Sequence, residues 1–139
     1  MATRSTIPIQ NAYDTIASIY CHWDGYPSNN GALLLEHYNT EDKIRELISL
    51  GSLSSLREKV KPIEGSKHSF ETPDSDVTIA YHRDRGENLQ INKFSCISEY
   101  NMQRNREAWN YLWKDGAWYV ARSIEQKFVK LTDEMCKEE

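Results

Sequence analysis

The chain has 139 residues, of which 39% are hydrophobic and 27% charged, and its formal net charge is −4. A chain of this length buries a sizeable core without disulfides or a structural metal, and its composition excludes collagen-like, disordered and disulfide-rich secreted proteins. The longest apolar run, residues 117–121, is far shorter than the roughly 20 residues of a membrane-spanning helix. Four Trp and eight Tyr accompany only three Phe, so the aromatic content is the unusual feature.

The N-terminal ten residues contain one Arg and no apolar stretch, which predicts that the chain has no secretory signal peptide. Cys21, Cys96 and Cys136 are widely spaced and form no CxxC pair, so we expect free thiols in a reducing cytoplasm. The excess of 21 acidic over 17 basic residues argues against a dedicated nucleic-acid-binding protein, which normally has a basic face.

Two β-prone runs near the N-terminus, residues 3–9 and 15–23, predict a hairpin joined by a turn cluster at 11–14. Pro8 has no N–H to donate to a sheet, which favours an edge position for the first strand. Residues 24–31 combine Asp, Gly, Pro, Ser and Asn, and this composition predicts a loop.

Two short helices are predicted after this loop. The first spans about residues 31–38 and carries three consecutive leucines. The second begins after Thr40, a residue type favoured as an N-cap, and ends at Gly51, a residue type favoured just beyond a helix. Its apolar positions are spaced i, i+3, i+4, which predicts one buried face. Leu53 and Leu56 predict one further helical turn packed beneath it.

The middle of the chain has weaker patterns. Residues 57–76 are polar and rich in turn-forming residues, so we expect a long, mobile surface connection. Alternating apolar residues predict a strand at 77–81, and a polar loop is predicted at 83–88. Residues 89–104 are ambiguous, because a short strand at their start and a helical turn over 97–103 both fit the sequence.

The strongest β pattern spans residues 107–122, where aromatic residues alternate on both sides of Asp-Gly at 115–116. Asp-Gly is typical of a type I′ hairpin turn, since both turn positions need a positive φ. A two-residue loop places Trp113 opposite Trp118. The aromatic stripe of the first strand is interpreted as core, and the alternatives are an exposed protein-binding face or a base-stacking platform.

Near the C-terminus, apolar residues recur at helical spacing at Ile124, Phe128, Leu131 and Met135. They predict an amphipathic helix over 124–135 that closes over the sheet. Together the elements predict a single α+β domain over residues 1–139. Its antiparallel sheet has about five strands, with two short helices after the first hairpin and one C-terminal helix.

The densest cluster of reactive side chains lies at residues 21–27, at the end of the second predicted strand. If the strand continues, His22 and Asp24 share a face, and an Asp–His pair is able to orient an imidazole as a general base. The favoured alternative is that His22 bonds to the backbone, Asp24 makes a turn and Trp23 anchors that turn in the core.

The sequence gives little support for a metal site or for a cysteine nucleophile. The side chains available to bind a metal are Cys21, His22, Asp24, His37 and His82. They come from separate elements and none stands at the spacing typical of metal ligands, so we expect no metal and no cofactor. Cys21 and His22 are consecutive and point to opposite faces of a strand, which argues against a cysteine nucleophile. The chain has no Walker loop, no GxGxxG and no GxSxG.

A second polar cluster is centred on Asp84, which Arg83 and Arg85 flank. Guanidinium groups match the geometry of phosphate and carboxylate, so two arginines are suited to an anionic partner. The favoured alternative is a solvated loop in which Arg and Asp neutralise one another.

Several segments resemble those of a family of small proteins encoded by bacteriophages and other mobile elements. They are the opening ATRSTI, IYCHWDGYP at 19–27, LLLEHY at 33–38, LISLGSLSSL at 47–56, YHRDRGE at 81–87 and YLWKDGAWYV at 111–120. The resemblance implies an accessory phage protein that acts in the host bacterial cytoplasm. Accessory proteins of this size often bind and block host proteins, and the resemblance implies no activity, cofactor or catalytic residue.

We therefore expect a non-enzymatic protein that binds and inhibits or modulates a host protein complex, such as a CRISPR or restriction system. The expected contacts lie in the two polar clusters, at Trp23, Asp24, Tyr26, Arg83 and Arg85. An alternative is a small metal-independent hydrolase or nucleotide-processing enzyme whose pocket unites His22, Asp24, His82 and Arg83. Single-stranded nucleic-acid binding is a third alternative, disfavoured by the acidic charge, and no membrane association is expected.

Overall fold

The computed structural model describes residues 2–104, 107–123, 125 and 127–137. In this part of the chain one sheet contains eight strands: β1 (Ser5–Gln10), β2 (Ile16–Cys21), β3 (Leu53–Ser55), β4 (Ile79–Ala80), β5 (Asn92–Phe94), β6 (Trp109–Lys114), β7 (Ala117–Arg122) and β8 (Val129–Lys130). The described α-helices are α1 (Ala32–His37), α2 (Glu41–Ile48), α3 (Tyr81–Arg85), α4 (Ile97–Arg104) and α5 (Asp133–Lys137). A 3₁₀ turn (Ala12–Asp14) joins β1 to β2, and a π-helical turn (Pro27–Gly31) precedes α1.

The strand order is β4-β3-β2-β1-β6-β7-β8, and β5 pairs with the first half of β2. β1 is antiparallel to β2 but parallel to β6, and β2 is parallel to β3. The prediction of an antiparallel sheet of about five strands is therefore wrong, because the described sheet is mixed and larger. Tight hairpin turns have a local sequence signature, whereas these parallel neighbours are distant in the chain and leave none.

The N-terminal hairpin is confirmed, with Ile7 opposite Ile19. Its first strand nevertheless lies inside the sheet, between β2 and β6, so the edge position predicted from Pro8 is wrong. In the ladder between β1 and β6, the next paired residue of β1 after Thr6 is Ile9. It therefore skips the proline, which has no N–H to contribute to the ladder.

The β6–β7 hairpin has the predicted turn and register. Asp115 and Gly116 have φ values of 50° and 77°, as a type I′ turn requires. Trp113 pairs with Trp118, and their rings meet edge to face with centroids 5.2 Å apart. Both indoles are buried, which confirms the interpretation of this part of the aromatic stripe as core.

One face of the sheet carries the main core, over which α1 and α2 pack as the two helices predicted after the first hairpin. The side chains buried there come from both helices and from the central strands, and include Ile7, Ile9, Ile19, Leu34, Ile44, Leu47 and Trp118. The other face carries a smaller cluster built on Ile16, Tyr100 and Leu112. Because Ile16 begins β2, this second cluster lies at the opposite end of that strand from Cys21.

Three predictions for the middle of the chain need correction. Leu53 is paired with both Cys21 and Ala80, so residues 53–55 form a strand and not a helical turn. The strand predicted at 77–81 ends at Ala80. Tyr81 then begins α3, which occupies the start of the predicted loop and ends before Gly86, whose φ is 74°.

The connection over 57–76 is not confined to the surface. Val60 is buried in the main core, and Lys59 forms a bridge with Val77. The Tyr38 hydroxyl donates a 2.6 Å hydrogen bond to the Arg57 carbonyl. These contacts attach the connection to the main core, to Val77 before β4 and to Tyr38 after α1.

The C-terminal helix predicted over 124–135 is also wrong. Residues 124 and 126 lie outside the described residues. Phe128 packs with the smaller cluster, β8 follows it, and among the residues described in this part of the chain only Asp133–Lys137 are helical. Phe128 and Met135 therefore do not lie in one helix, because β8 separates Phe128 from α5. Among the helices described, none is long and apolar enough to cross a membrane.

Candidate functional site

The segment 22–27, which we call the aromatic loop, follows β2 and is held by backbone hydrogen bonds on two sides. The His22 N–H donates to the Leu53 carbonyl, and the Trp23 N–H donates to the Ser54 carbonyl, both at 3.0 Å. The Gly25 N–H donates to the Thr3 carbonyl at 2.8 Å. The loop is therefore fixed against both the β3 side and the β1 side of the sheet.

Gly25 is required by this close approach. A Cβ atom at position 25 would lie 2.8 Å from the Ser5 Cβ and 2.9 Å from the Thr3 carbonyl oxygen. The Gly25 carbonyl accepts a 2.6 Å hydrogen bond from the buried Tyr111 hydroxyl. Burial raises the pKa of Tyr111, so this hydroxyl remains a donor at neutral pH.

Two large aromatic side chains of the loop are exposed. Trp23 is 42% exposed and Tyr26 is 38% exposed. The Trp23 indole meets the His22 ring edge to face, with centroids 4.7 Å apart, and the Tyr26 hydroxyl donates to Asp24 Oδ1 at 3.2 Å. The alternative in which Trp23 anchors the turn in the core does not hold, because its ring lies at the surface.

His22 and Asp24 have separate partners. The Tyr20 hydroxyl lies 2.6 Å from His22 Nδ1 and shares a hydrogen bond with it. Burial raises the pKa of Tyr20, and the charge of Arg4 opposes that rise. Asp24 accepts from Tyr26 instead, so this structure does not contain the His22–Asp24 pair that a general base would need.

A cleft of about 440 Å³ lies beside Tyr26, which forms part of its wall. Its apolar and aromatic walls come from the loop, from three strands and from α5, and include Tyr26, Pro27, Trp109, Val120, Val129 and Met135. Arg122 and Glu125 contribute its charged side chains. Sequence reasoning missed this cleft, because its walls are distant in the chain and no shared motif connects them.

Arg83 is engaged inside the fold. Its guanidinium donates to the carbonyls of Val60 at 2.5 Å and Thr78 at 2.6 Å. It also makes a bidentate pair with Asp84, with distances of 2.8 and 3.0 Å. The arginine therefore joins the 57–76 connection to β4 and α3.

Arg85 lies at the surface beside this pair. Its guanidinium stacks on the rings of Phe70 and Tyr81, 4.3 and 4.9 Å from their centroids, and pairs with Glu87. His82 Nδ1 lies 2.7 Å from the Glu87 carbonyl oxygen. In the described part of the chain, no hydrogen bond or ion pair joins His22 or Asp24 to His82 or Arg83.

His68 is a buried histidine that sequence reasoning did not single out. Its Nδ1 accepts a 3.0 Å hydrogen bond from the Asp74 N–H, and its Nε2 lies 3.2 Å from Asp84 Oδ2, though outside hydrogen-bonding angles. The His68 and Asp84 side chains are 2% and 4% exposed. Both ring nitrogens face protein groups, so this histidine has the surroundings of a structural residue and not of a catalytic base.

The cysteines and histidines form no metal site in the part of the chain that the structure describes, where no group of three or more metal-ligating side chains occurs. Cys21 is buried, and its sulfur accepts from the Asn30 amide at 3.5 Å. Burial raises the pKa of Cys21 to about 11, so its thiol is protonated at neutral pH. A protonated, buried thiol is a poor nucleophile and a poor metal ligand.

Comparisons of the chain with protein-family models, with curated proteins and with solved structures give no match.

Proposed function

We propose that this chain is a protein-binding module and not an enzyme, and that it modulates a host protein complex. The observation that supports this most strongly is the pair of exposed aromatic rings, Trp23 and Tyr26, on a backbone hydrogen-bonded to two neighbouring segments. Trp and Tyr dominate the binding energy of protein interfaces. A loop already held in place loses little conformational entropy on binding, which favours affinity.

The proposed contact surface is centred on Trp23, Asp24 and Tyr26. Asp24 accepts from the Tyr26 hydroxyl, so the acid and the ring are presented together. Arg85 stays a predicted contact. Arg83 also stays a prediction, although much of its hydrogen-bonding capacity is used within the fold.

The nature of the partner is proposed from the family resemblance. An accessory phage protein acts inside the bacterial host, so its partner is expected among cytoplasmic complexes such as CRISPR or restriction systems. The separate partners of His22, Asp24, His82 and Arg83 favour binding over the hydrolase alternative.

The test is affinity purification of the full chain from bacterial lysates that contain restriction or CRISPR complexes, followed by mass spectrometry and titration of the captured protein. Trp23→Ala and Tyr26→Ala remove the proposed contacts. Tyr13→Ala is the matched control, because Tyr13 is 98% exposed and lies in the turn between β1 and β2.

We expect Trp23→Ala to weaken binding by about tenfold or more, as removal of an interface hot spot does, while Tyr13→Ala binds like the wild type. Failure of the wild type to capture any saturable partner would overturn the proposal. Equal binding by all three variants would also contradict it.

A further inference from the structure

The aromatic loop contains a residue in a backbone conformation that needs support from its surroundings. Asp24 has a φ of 55°, in the left-handed region that residues with a Cβ atom adopt uncommonly. Such residues persist where the surrounding structure holds them, and they cluster at sites that clamp ligands. Asp24 follows Trp23 directly, so its conformation sets the direction in which the chain leaves the exposed indole.

Side-chain hydrogen bonds hold two consecutive carbonyls of this turn. The Asn29 amide donates to the Asp24 carbonyl at 3.3 Å. The Tyr111 hydroxyl donates to the next carbonyl, that of Gly25, at 2.6 Å. Tyr111 is fully buried and packs in the main core. The shorter of the two bonds therefore comes from a side chain that the core itself holds in place.

The hydroxyl of Tyr111 is not needed to fill the core. A phenylalanine ring occupies nearly the same space and has no polar atom that must find a partner in a buried site. What the hydroxyl adds is one bond between β6 and the loop backbone, which joins residues 86 positions apart in the chain. It therefore couples the position of the loop to the core of the sheet.

We infer that Tyr111 is a positioning residue, which fixes the aromatic loop through the Gly25 carbonyl in the arrangement that binds the partner. The inference rests on the proposed function, because it assigns a role in binding to a residue that does not reach the surface. A loop fixed before binding loses less conformational entropy in the complex. Release of the Gly25 carbonyl should therefore weaken binding although no contact residue is changed.

The test compares Tyr111→Phe with Tyr38→Phe as a matched control. Both tyrosines are fully buried, and each hydroxyl donates a 2.6 Å hydrogen bond to a backbone carbonyl, that of Gly25 or that of Arg57. The two substitutions therefore remove the same kind of bond at different places in the fold. A loss of overall stability is common to both variants, whereas a change confined to the aromatic loop is expected of Tyr111→Phe alone.

Hydrogen exchange under native conditions measures the two places separately through two buried amides. The Gly25 N–H donates to the Thr3 carbonyl at 2.8 Å and reports on the loop. The Thr78 N–H donates to the Lys59 carbonyl, also at 2.8 Å. Thr78 reports on the surroundings of Tyr38, because the Tyr38 hydroxyl lies 3.3 Å from Thr78 Oγ1.

We expect Tyr111→Phe to accelerate exchange of the Gly25 amide about fivefold or more relative to the Thr78 amide, a factor that corresponds to the loss of one local hydrogen bond. Tyr38→Phe should have the opposite effect. Equal acceleration of both amides in Tyr111→Phe would show that the hydroxyl contributes only to overall stability. An unchanged Gly25 amide would show that the hydroxyl does not hold the loop, and either result overturns the inference.

Binding is measured by titrating both variants with the protein that the wild-type chain captures from the lysate. We expect Tyr111→Phe to bind this protein about threefold or more weakly than Tyr38→Phe does. Equal binding of the two variants would overturn the inference and leave the proposed function standing. If the Gly25 amide responds as expected but the wild type captures no saturable partner, the proposed function is overturned, and the role of the hydroxyl is limited to holding the loop.

Discussion

The indole N–H of Trp118 donates a 2.8 Å hydrogen bond to the backbone carbonyl of Tyr38. Tyr38 follows α1, and Trp118 lies on β7, so this bond joins the first helix to the C-terminal hairpin. The Tyr38 hydroxyl in turn bonds to the Arg57 carbonyl, and burial raises the pKa of Tyr38 to about 12. One buried tyrosine therefore connects α1, the hairpin and the 57–76 connection.

Trp118→Phe is expected to lower the free energy of unfolding by about 1–3 kcal/mol, because it leaves the buried Tyr38 carbonyl without its donor. Urea denaturation followed by circular dichroism measures the change. Trp23→Phe is the control, since this exposed site is expected to change stability by about 0.5 kcal/mol or less. Equal stability of Trp118→Phe and the wild type would show that the bond contributes nothing.

Arg83→Met is expected to destabilise the protein by about 2–4 kcal/mol. It removes donors to the Val60 and Thr78 carbonyls and leaves the Asp84 carboxylate buried without its guanidinium partner. Arg85→Met is the matched control, because its half-exposed ion pair with Glu87 is expected to contribute about 1 kcal/mol or less. If both variants unfold at the same denaturant concentration, the structural role assigned to Arg83 is wrong.

Stability is expected to fall in acid because of Asp84. Burial alone would raise its pKa, but hydrogen bonds from Arg83 and the Ala80 N–H, the neighbouring His68 ring and the Arg83 charge together lower the pKa below its ordinary value of 3.8. For a carboxyl whose folded pKa is lowered, the stabilisation is complete above the unfolded pKa and is lost as the pH falls through the folded pKa.

Asp84→Asn should therefore be less stable than the wild type at pH 7, and the difference should shrink below about pH 4. Urea denaturation at a series of pH values measures this convergence. Asp76→Asn provides a comparison, because hydrogen bonding to exposed Lys59 also lowers the pKa of Asp76. A pH-independent difference between Asp84→Asn and the wild type would contradict the linkage.

Cys21 is expected to resist alkylation in the folded protein. Its thiol is buried and its pKa is raised to about 11, whereas Cys96 is only partly buried. Iodoacetamide at pH 8 should modify Cys96 first and reach Cys21 only after unfolding, since the thiolate is the reactive form. Peptide mapping by mass spectrometry measures both sites in one sample, and equal native rates would refute the expectation.

The helix α2 and the β6–β7 hairpin show which parts of the fold are predictable from the sequence. Thr40 is the N-cap of α2, as predicted, whereas the helix ends at Ile48, earlier than the end predicted at Gly51, whose φ is 75°. Asp115–Gly116 selects the turn of the hairpin and hence its register. These features depend on residues close together in the chain, so the sequence alone contains the information that determines them.

The candidate site was predictable only in part. The turn-forming composition of residues 24–31 predicts a loop, but the favoured interpretation of the sequence placed Trp23 in the core, and the structure exposes it. The sequence does not show that Arg83 bonds to Val60 and Thr78, because those carbonyls become its neighbours only after folding. The sequence likewise does not show that His68 is buried against Asp84 of α3, because the two residues become neighbours only after folding.

The unusual Trp and Tyr content was visible from the sequence, but the role of each ring was decided by tertiary structure. Trp113 and Trp118 became core because α1 and α2 cover that face of the sheet, whereas Trp23 and Tyr26 lie on a loop and stay 42% and 38% exposed. The sequence determined the Asp-Gly turn, the N-cap of α2 and the aromatic hairpin, since these arise from contacts within a few residues. The parallel pairing of β1 with β6 and the cleft between Tyr26 and Trp109 required the tertiary structure, because distant segments pair through burial and backbone hydrogen bonds that no local pattern specifies.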